Sequence, residues 1–501
     1  MEKKFEELKR RLMEIDDLNS SAAVLSWDQA TYMPPGGAAA RGRQMATLSS
    51  LAQEKFIDLE IGKLLDDLQG YEDGLDYNSN EASLIRKARR DYEKAVKVPA
   101  AWVAKFETHA AASYQDWAAA RPENDFKRLE DNLKKTLEMS VEFADFFPGY
   151  EHIADPLIDN SDEGMKASDI QRVFSELQEE LVPLVQAITE QEAVDDNPVK
   201  QAYTEDDQLA FGQIVIQDFG YDFERGRQDK TYHPFMTKFS LGDVRITTRV
   251  NENDLSEALF STLHEAGHGM YEQGINPVLE GTPLADGSSS GVHESQSRTW
   301  ENVVGRSRGF WEHYYPKLQQ AFPEQLAQVE LEAFYRAINK VSRSLIRTDA
   351  DEVTYNLHVM IRFDLELQML EGKLNIEDLP EAWHARYESD LGLRAPSDVD
   401  GVLQDVHWYA GTIGGSFQGY TLGNILGALF YESALKANPD IPDEIRHGQF
   451  DTLHSWLKEN LYMHGAKFTA DELIQRVTGG PLRIEPYIAY LKGKYGEIYR
   501  L

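Results

Sequence analysis

The sequence contains no cysteine. That excludes disulfide frameworks, thiolate nucleophiles and Cys-ligated zinc, so any transition metal has to be held by His, Asp or Glu. Positive charge is scarce as well: 51 Lys and Arg stand against 85 Asp and Glu, a formal charge of −34. A surface this negative repels phosphate backbones and anionic lipid, which removes nucleic acid and membrane surfaces from the expected partners. No stretch approaches the roughly 18 uncharged apolar residues of a membrane span. The start, "MEKKFEELKRRLMEIDDL", alternates charges with apolar residues at helical spacing and lacks the apolar core of a secretory signal, so a cytoplasmic location is expected. Ser/Gly-rich tethers, low-complexity tracts and repeats at periods of roughly 20 to 50 residues are also missing.

What is present is amphipathic helix. In "FSELQEELVPLVQAITEQ" Leu, Val and Phe recur every three or four residues, and most other segments repeat this pattern. The breaks, such as "TYMPPGG", "KVPAAW", "DNPVK" and "ANPDIPDE", are turn signals rather than linkers. These features predict a mainly α protein built as one unit over residues 1–501, or as lobes in close contact. One segment differs. "FSLGDVRITTRV", residues 239–250, alternates apolar and polar residues with Val and Ile, and predicts a strand in a small sheet whose exposed edge could take an extended peptide.

About a dozen residues later comes "LHEAGHGMYEQG", residues 263–274. On a helix, positions i and i+4 lie about 40° apart and one turn along the same face, so His264 and His268 can chelate one ion. Glu265 is rotated away from that pair yet close enough to reach water at the ion, which is the mechanical content of an HExxH site. Leu259, Phe260, Leu263 and Met270 supply an apolar stripe to anchor the helix. Gly267 and Gly269 cost roughly 1 kcal/mol each relative to Ala, which predicts that another backbone or side chain packs tightly there.

A third ligand has to come from elsewhere. In "GSSSGVHESQSRTWENVVGRS", Ser288 to Gly291 look like a helix start, after which Glu294, Arg298 and Glu301 share one face. Both His293 and Glu294 are able to ligate. They point about 100° apart, so only one of them can face the ion.

Four further stretches accompany HEAGH: "DVRIT" (243–247), "HESQS" (293–297), "IRTDAD" (346–351) and "GVLQDVHW" (401–408). Together they resemble the DxRxT, HES, IRxxAD and GxxQDxHW motifs of the carboxypeptidase Taq family of metal-dependent carboxypeptidases, whose fold is related to neurolysin and the angiotensin-converting enzymes. "LSWDQATYMPPGGAAARGRQMATLSSL" near the start and "FERGRQDKTYHPF" at 223–235 are similar to the family too, so the resemblance spans most of the chain. It implies a large two-lobed helical fold around a deep substrate groove, with a small β-sheet beside the active-site helix and a single catalytic domain over 1–501. It also implies Glu294, not His293, as third ligand, one divalent ion per chain (Zn2+ ahead of Co2+), peptide substrates and a homodimer. One departure stands out. Where family members often read GYFPTY, this chain has "GSFQGYTLGN", with Gln418 in place of the proline and Tyr420 still aligned.

The chemistry expected of such a site is hydrolysis. An ion held by two neutral His and one carboxylate lowers the pKa of water toward about 7. Glu265 then takes the proton as general base and returns it to the leaving amine as general acid. His407 and Tyr420 match the His and Tyr that steady the developing oxyanion in related zinc peptidases. Removing only the last residue requires recognition of a free carboxylate, for which the Arg347 guanidinium in "IRTDAD" is the first choice and Arg245 the second. The competing task for Arg347 is an ion pair with Asp349 or Asp351. Asp243 or Glu301 is expected to orient a ligand histidine. Two other readings share these residues: a zinc endopeptidase or oligopeptidase on the same scaffold, and a non-catalytic peptide-binding protein, against which the intact HEAGH argues.

Overall fold

In the computed structural model, which describes residues 1–501, the first helix shows how the apolar pattern sets the architecture. Phe5, Leu8, Leu12 and Ile15 recur at three- and four-residue spacing within Glu2–Thr31 and all four are buried, while Arg10 and Arg11 pair with Glu7. The helix Asn80–Lys97 follows the same logic: Ser79 accepts the Ala82 N–H at 3.1 Å at its start, and Leu84, Ile85 and Ala88 face inward. With Leu59–Glu72, these helices enclose a core of 17 buried residues that also takes in Leu241, Ile275, Leu279 and Leu284. A second core of 98 buried residues runs from Trp102 to Tyr499. The chain as a whole is mainly α, with 22 α-helices and one three-stranded sheet. No helix is long and apolar enough to cross a membrane.

Between the two cores lies a cleft of about 820 Å³. Lys87, Asp91 and Lys94 of the helix Asn80–Lys97 line one side, and His293, Glu294 and Tyr420 the other. A groove here is what the resemblance to the family implies.

The sheet has the order β1-β3-β2, with β1 (Gln228–Lys230) parallel and β2 (Met236–Ser240) antiparallel to β3 (Asp243–Thr248). The expected strand at 239–250 is thus two strands joined by a turn at Leu241 and Gly242. Alternation continues through the turn, which is why a period of two alone reads as one element. β3 is central and hydrogen-bonded on both sides, so it offers no free edge to a peptide; only β1 and β2 are edge strands.

Three helices carry the site, and glycines set their spacing. A Cβ on Gly267 would lie 2.6 Å from the Gln296 carbonyl oxygen and 2.7 Å from Ser297 Cα, so the helix Leu255–Gly274 meets the backbone of Ser290–Arg298 directly. A Cβ on Gly423, in the helix Gln418–Ala437, would lie 2.4 Å from Glu294 Cγ. The close approach predicted from Gly267 is therefore a helix–helix contact beside the Glu294 carboxylate.

Candidate active site

The helix Leu255–Gly274 starts at Asp254, whose side chain accepts the Ser256 N–H at 3.0 Å. It lies against the sheet: Thr248 Oγ1 and Ser261 Oγ are 2.7 Å apart, and Gln228 Nε2 donates to Thr262 Oγ1 at 2.8 Å. Leu259, Phe260, Leu263 and Met270 are buried as the periodicity requires, and His264 and His268 turn toward the helix Ser290–Arg298. That helix is capped by Ser289, which accepts the Val292 N–H at 3.2 Å, and it continues into a π-helical segment, Thr299–Val304, a widening that recurs at functional sites.

His264 Nε2 is 3.6 Å and His268 Nε2 3.4 Å from the same oxygen, Glu294 Oε2, and the three donor atoms lie within 4.8 Å of one another. Those separations exceed the usual N–H···O distance of about 2.9–3.0 Å. They match the edge of a tetrahedron with bonds of about 2.0–2.1 Å, roughly 3.4 Å, as a zinc-like site requires. The other atoms of these side chains are committed elsewhere. Glu294 Oε1 accepts from Arg298 Nε at 2.7 Å, and His264 Nδ1 donates to Glu301 Oε2 at 2.9 Å. Arg298 also donates to Glu301 Oε2 at 2.9 Å. The donor set therefore fits a divalent ion. Between His293 and Glu294, the carboxylate faces the two imidazoles; His293 instead meets His268 through their Nδ1 atoms and places its Nε2 2.9 Å from Glu272 Oε1.

Electrostatics divides the cluster into roles. Burial resists charge on Glu294 and Glu301, yet Arg298 and the histidines hold both carboxyls below their ordinary range, Glu301 at about 2. Burial pushes His268 down to about 3, against the pull of Glu294. His264 stays above its ordinary value: burial disfavours its charge, but Glu294 and Glu301 outweigh it. Glu265 behaves differently from the other acids. Burial lifts its carboxyl to about 7, so it sits near neutrality as a group that can both take and give a proton.

The "GVLQDVHW" motif is an anchor for one free residue. Gln404 Oε1 accepts from the Arg347 backbone N–H at 2.9 Å and from Arg362 Nη2 at 2.8 Å, Asp405 binds both guanidiniums, and Trp408 Nε1 donates to Glu366 Oε1 at 2.8 Å. His407 is left facing Tyr420, with Nε2 3.4 Å from the phenolic oxygen. Burial keeps His407 neutral, at about 4, and raises Tyr420 to about 12, so the phenol retains its proton.

Arg347 is 7% exposed, with its guanidinium 5.2 Å from the centre of the Tyr420 ring. Its partner is neither Asp349 nor Asp351 but Asp405, because residues 347–349 form a 3-10 turn instead of continuing a helix. Asp351 accepts from the backbone of Ser342, Val353 and Thr354. Arg245, the second candidate for the carboxylate, is not brought to the site. Its Nε and Nη2 both bind Asp243 at 2.8 Å, and it stacks 4.3 Å from the Trp27 ring and 4.9 Å from the Phe239 ring, none of which touches the cluster. Asp243 is consumed by that pair, so of the two carboxylates expected to orient a ligand histidine, Glu301 alone does so. Sequence reasoning passed over Glu272, Asp405 and Arg362; only Glu272, one helical turn beyond His268, carried a local signal.

Comparison with known proteins places the whole chain beside metal-dependent carboxypeptidases. Residues 7–495 match the carboxypeptidase Taq (M32) metallopeptidase family. The chain is 39% identical over 493 residues to thermostable carboxypeptidase 1 of Thermus thermophilus, covering 96% of each chain. It is 34% identical over 501 residues to carboxypeptidase 1 of Bacillus subtilis, covering 100% of this chain and 99% of the other. The crystal structure of an M32 carboxypeptidase from Deinococcus radiodurans R1 superposes with a TM-score of 0.97 at 52% identity, over 100% of both chains.

Proposed function

The chain belongs to the carboxypeptidase Taq (M32) metallopeptidase family, and on that premise we propose that this metal-dependent carboxypeptidase releases single residues from peptide C-termini with broad specificity, Glu265 moving the protons. The observation that carries the reading is the convergence of His264 Nε2 and His268 Nε2 on Glu294 Oε2, 3.6 and 3.4 Å away, with Glu265 on the same helical turn. The endopeptidase and binding-protein alternatives are not favoured, since the relatives are carboxypeptidases.

His264, His268 and Glu294 would hold a divalent ion, which would supply Lewis acidity for water and for the scissile carbonyl near neutral pH. Glu265 takes the proton of the attacking water on a carboxylate oxygen and hands it to the leaving amine nitrogen. Tyr420 donates a hydrogen bond from its phenol, which keeps its proton, to the carbonyl oxygen as negative charge develops, with neutral His407 beside it. Arg347 holds the terminal carboxylate of the peptide in a charge-assisted pair.

The donor set of two imidazoles and one carboxylate supports zinc ahead of cobalt. The single catalytic unit over 1–501, the homodimer and the cytoplasmic location expected from the sequence are kept in this reading, and limited proteolysis, native mass and cell fractionation measure them. The test of function is digestion of a mixed peptide set with and without chelator, read by mass spectrometry. Single residues leaving in order from the C-terminus, and stopping with chelator, are expected; internal cleavage overturns the exopeptidase assignment.

A further inference from the structure

His264 and His268 are supported in different ways. His264 Nδ1 donates directly to the Glu301 carboxylate, whereas His268 Nδ1 meets the Nδ1 of another imidazole, His293. Beyond His293 the connections continue: its Nε2 is 2.9 Å from Glu272 Oε1, and Glu272 Oε2 accepts from Lys238 Nζ at 2.8 Å. Lys238 also donates to the Ala285 carbonyl oxygen and to Asp286. Glu272 Oε1 further accepts the Gly287 N–H at 3.1 Å. A Cβ on Gly287 would lie 2.5 Å from His293 Cδ2, so only glycine lets this loop close over the ring.

Proton placement makes the series directional. A ligand imidazole needs its Nε2 lone pair, so neutral His268 must carry its proton on Nδ1. Only one proton fits between the two Nδ1 atoms, so His293 Nδ1 must be the acceptor. The neutral His293 ring then bears its proton on Nε2, and Glu272 Oε1 is positioned to accept it. Glu272 is 3% exposed, and a carboxylate that deep stays an acceptor only if a cation balances it, which Lys238 does. Lys238 is itself placed by the register of β2 on β3, opposite Val244. Each bond in the series thus selects the tautomer of the next ring.

We propose that His293, Glu272 and Lys238 are positioning residues that fix the orientation and tautomer of His268 for the ion, with the sheet as the outer anchor. The proposal rests on the metal reading above. It gives His293, the residue that competes with Glu294 for the third ligand position in the sequence, a task in the site other than ligation. It also accounts for the small sheet beside the helix, whose strand β2 holds the far end of the series.

The test is zinc affinity, measured by chelator competition on the full chain without reference to activity. Expected are a Kd about 10–100-fold weaker for His293→Leu and a weakening of several-fold or more for Lys238→Met. His293→Gln should recover most of the affinity, since its carboxamide can accept from His268 and donate to Glu272. Parent-like zinc binding by His293→Leu and Lys238→Met overturns the proposal, as does His293→Gln binding no better than His293→Leu. If His293→Leu fails to fold, the pair Lys238→Met and His293→Gln decides: parent-like affinity in both overturns it, and loss in the first with recovery in the second supports it. A different outcome strikes the metal reading itself: a parent protein that binds no zinc, or a His268→Ala variant that binds it as tightly as the parent.

Discussion

Arg347 Nη2 lies 2.9 Å from Asp405 Oδ1, so the guanidinium assigned to the peptide's terminal carboxylate meets that carboxylate already paired. Asp405 is shared, however. Its other oxygen accepts from Arg362, which is fully buried, and Arg347 turns Nη1 to the Tyr355 hydroxyl at 2.9 Å. Two guanidiniums around one carboxylate leave one net positive charge for an incoming anion. Arg347→Ala removes that charge while Arg362 still satisfies Asp405, so the fold should survive. A charged hydrogen-bonded contact is worth about 1.5–3 kcal/mol, which predicts a KM for free peptides raised about tenfold to a hundredfold. C-terminally amidated peptides should be poor substrates of the parent. Steady-state kinetics on a matched free and amidated pair checks both, and equal cleavage of the pair removes Arg347 from carboxylate recognition.

Glu265→Gln should leave zinc bound and abolish turnover. The Glu265 carboxyl belongs to none of the bonds that hold His264, His268 or Glu294, so the donor set is untouched, while the carboxamide can no longer accept a proton. Proton transfer by a positioned residue contributes about 10²–10⁴-fold, and kcat should fall by at least that. Metal content measured beside kcat separates the two effects. Retained turnover ends the assignment of Glu265 as base.

Tyr420→Phe isolates one hydroxyl. The ring stands edge-on to Tyr355 with centroids 6.3 Å apart and lies under the Arg347 guanidinium, contacts a phenyl ring keeps. Loss of an oxyanion donor costs about 10²–10³ in kcat. KM should change little, because the oxygen it serves carries charge only as the bond breaks. A rise in KM with kcat intact would make Tyr420 a binding group instead.

The sequence was most legible where chemistry and periodicity coincide on one element. The i, i+4 spacing of His264 and His268, the apolar stripe through Leu263 and Met270, and the glycine at 267 all follow from a single helix, and all hold. The choice between His293 and Glu294 lies one level higher. Both are on one helix, and which of them faces the ion depends on how that helix packs against another, so family motifs and not local geometry pointed to Glu294. Contacts between distant segments were unreadable: the competing ion pair for Arg347 lay within its own motif, at Asp349 or Asp351, whereas the guanidinium meets Asp405, and Lys238 reaches Glu272 from a strand. The 239–250 segment failed for another reason, since alternation passes through a tight turn without a break and one strand cannot be told from two.

Gln418, which stands where the family's motif has proline, takes over a bonding role that proline cannot fill. The residue is fully buried, and its Nε2 lies 2.9 Å from Ser161 Oγ, 2.9 Å from Asp162 Oδ2 and 3.1 Å from the Gly415 carbonyl oxygen. Asp162 in turn accepts the Gly291 N–H at 2.7 Å, in the first turn of the helix that carries Glu294. Gln418 thereby ties the approach to Tyr420 to the start of that helix. Leucine is a cleaner probe than proline here: it keeps the side-chain bulk without the amide, whereas a proline would clash with the αR backbone of Phe417 before it. Gln418→Leu should therefore cost the amide's bonds, about 1–3 kcal/mol for leaving a buried acceptor short of a donor. Urea unfolding reads this as a lower midpoint at unchanged slope, and an unchanged midpoint would mean that the amide contributes no stability.

Glu366 supplies a pH dependence separate from the ion. The side chain is fully buried, and Oε1 accepts from Trp408 Nε1. Burial raises its pKa from an ordinary 4.5 to about 8, more than the Trp408 bond, the Gly414 backbone N–H and the nearby Arg362 lower it. Below pH 4.5 the folded and unfolded chains both hold this proton, and the group costs nothing. Between pH 4.5 and 8 the unfolded chain releases it and the folded chain keeps it, so stability falls as pH rises, by at most about 1.4 kcal/mol per unit and a few kcal/mol in total. Above 8 both forms are ionised and the penalty is complete. Glu366→Gln preserves the acceptor for Trp408 and cannot ionise. The variant should match the parent near pH 4.5 and gain on it steadily up to pH 8. Urea unfolding of both proteins with chelator present, at pH 5, 6.5 and 8, measures the difference directly. Stability curves that run parallel over this range would show that Glu366 titrates alike in the folded and unfolded chains, and that its burial in the core beside Trp408 carries no cost.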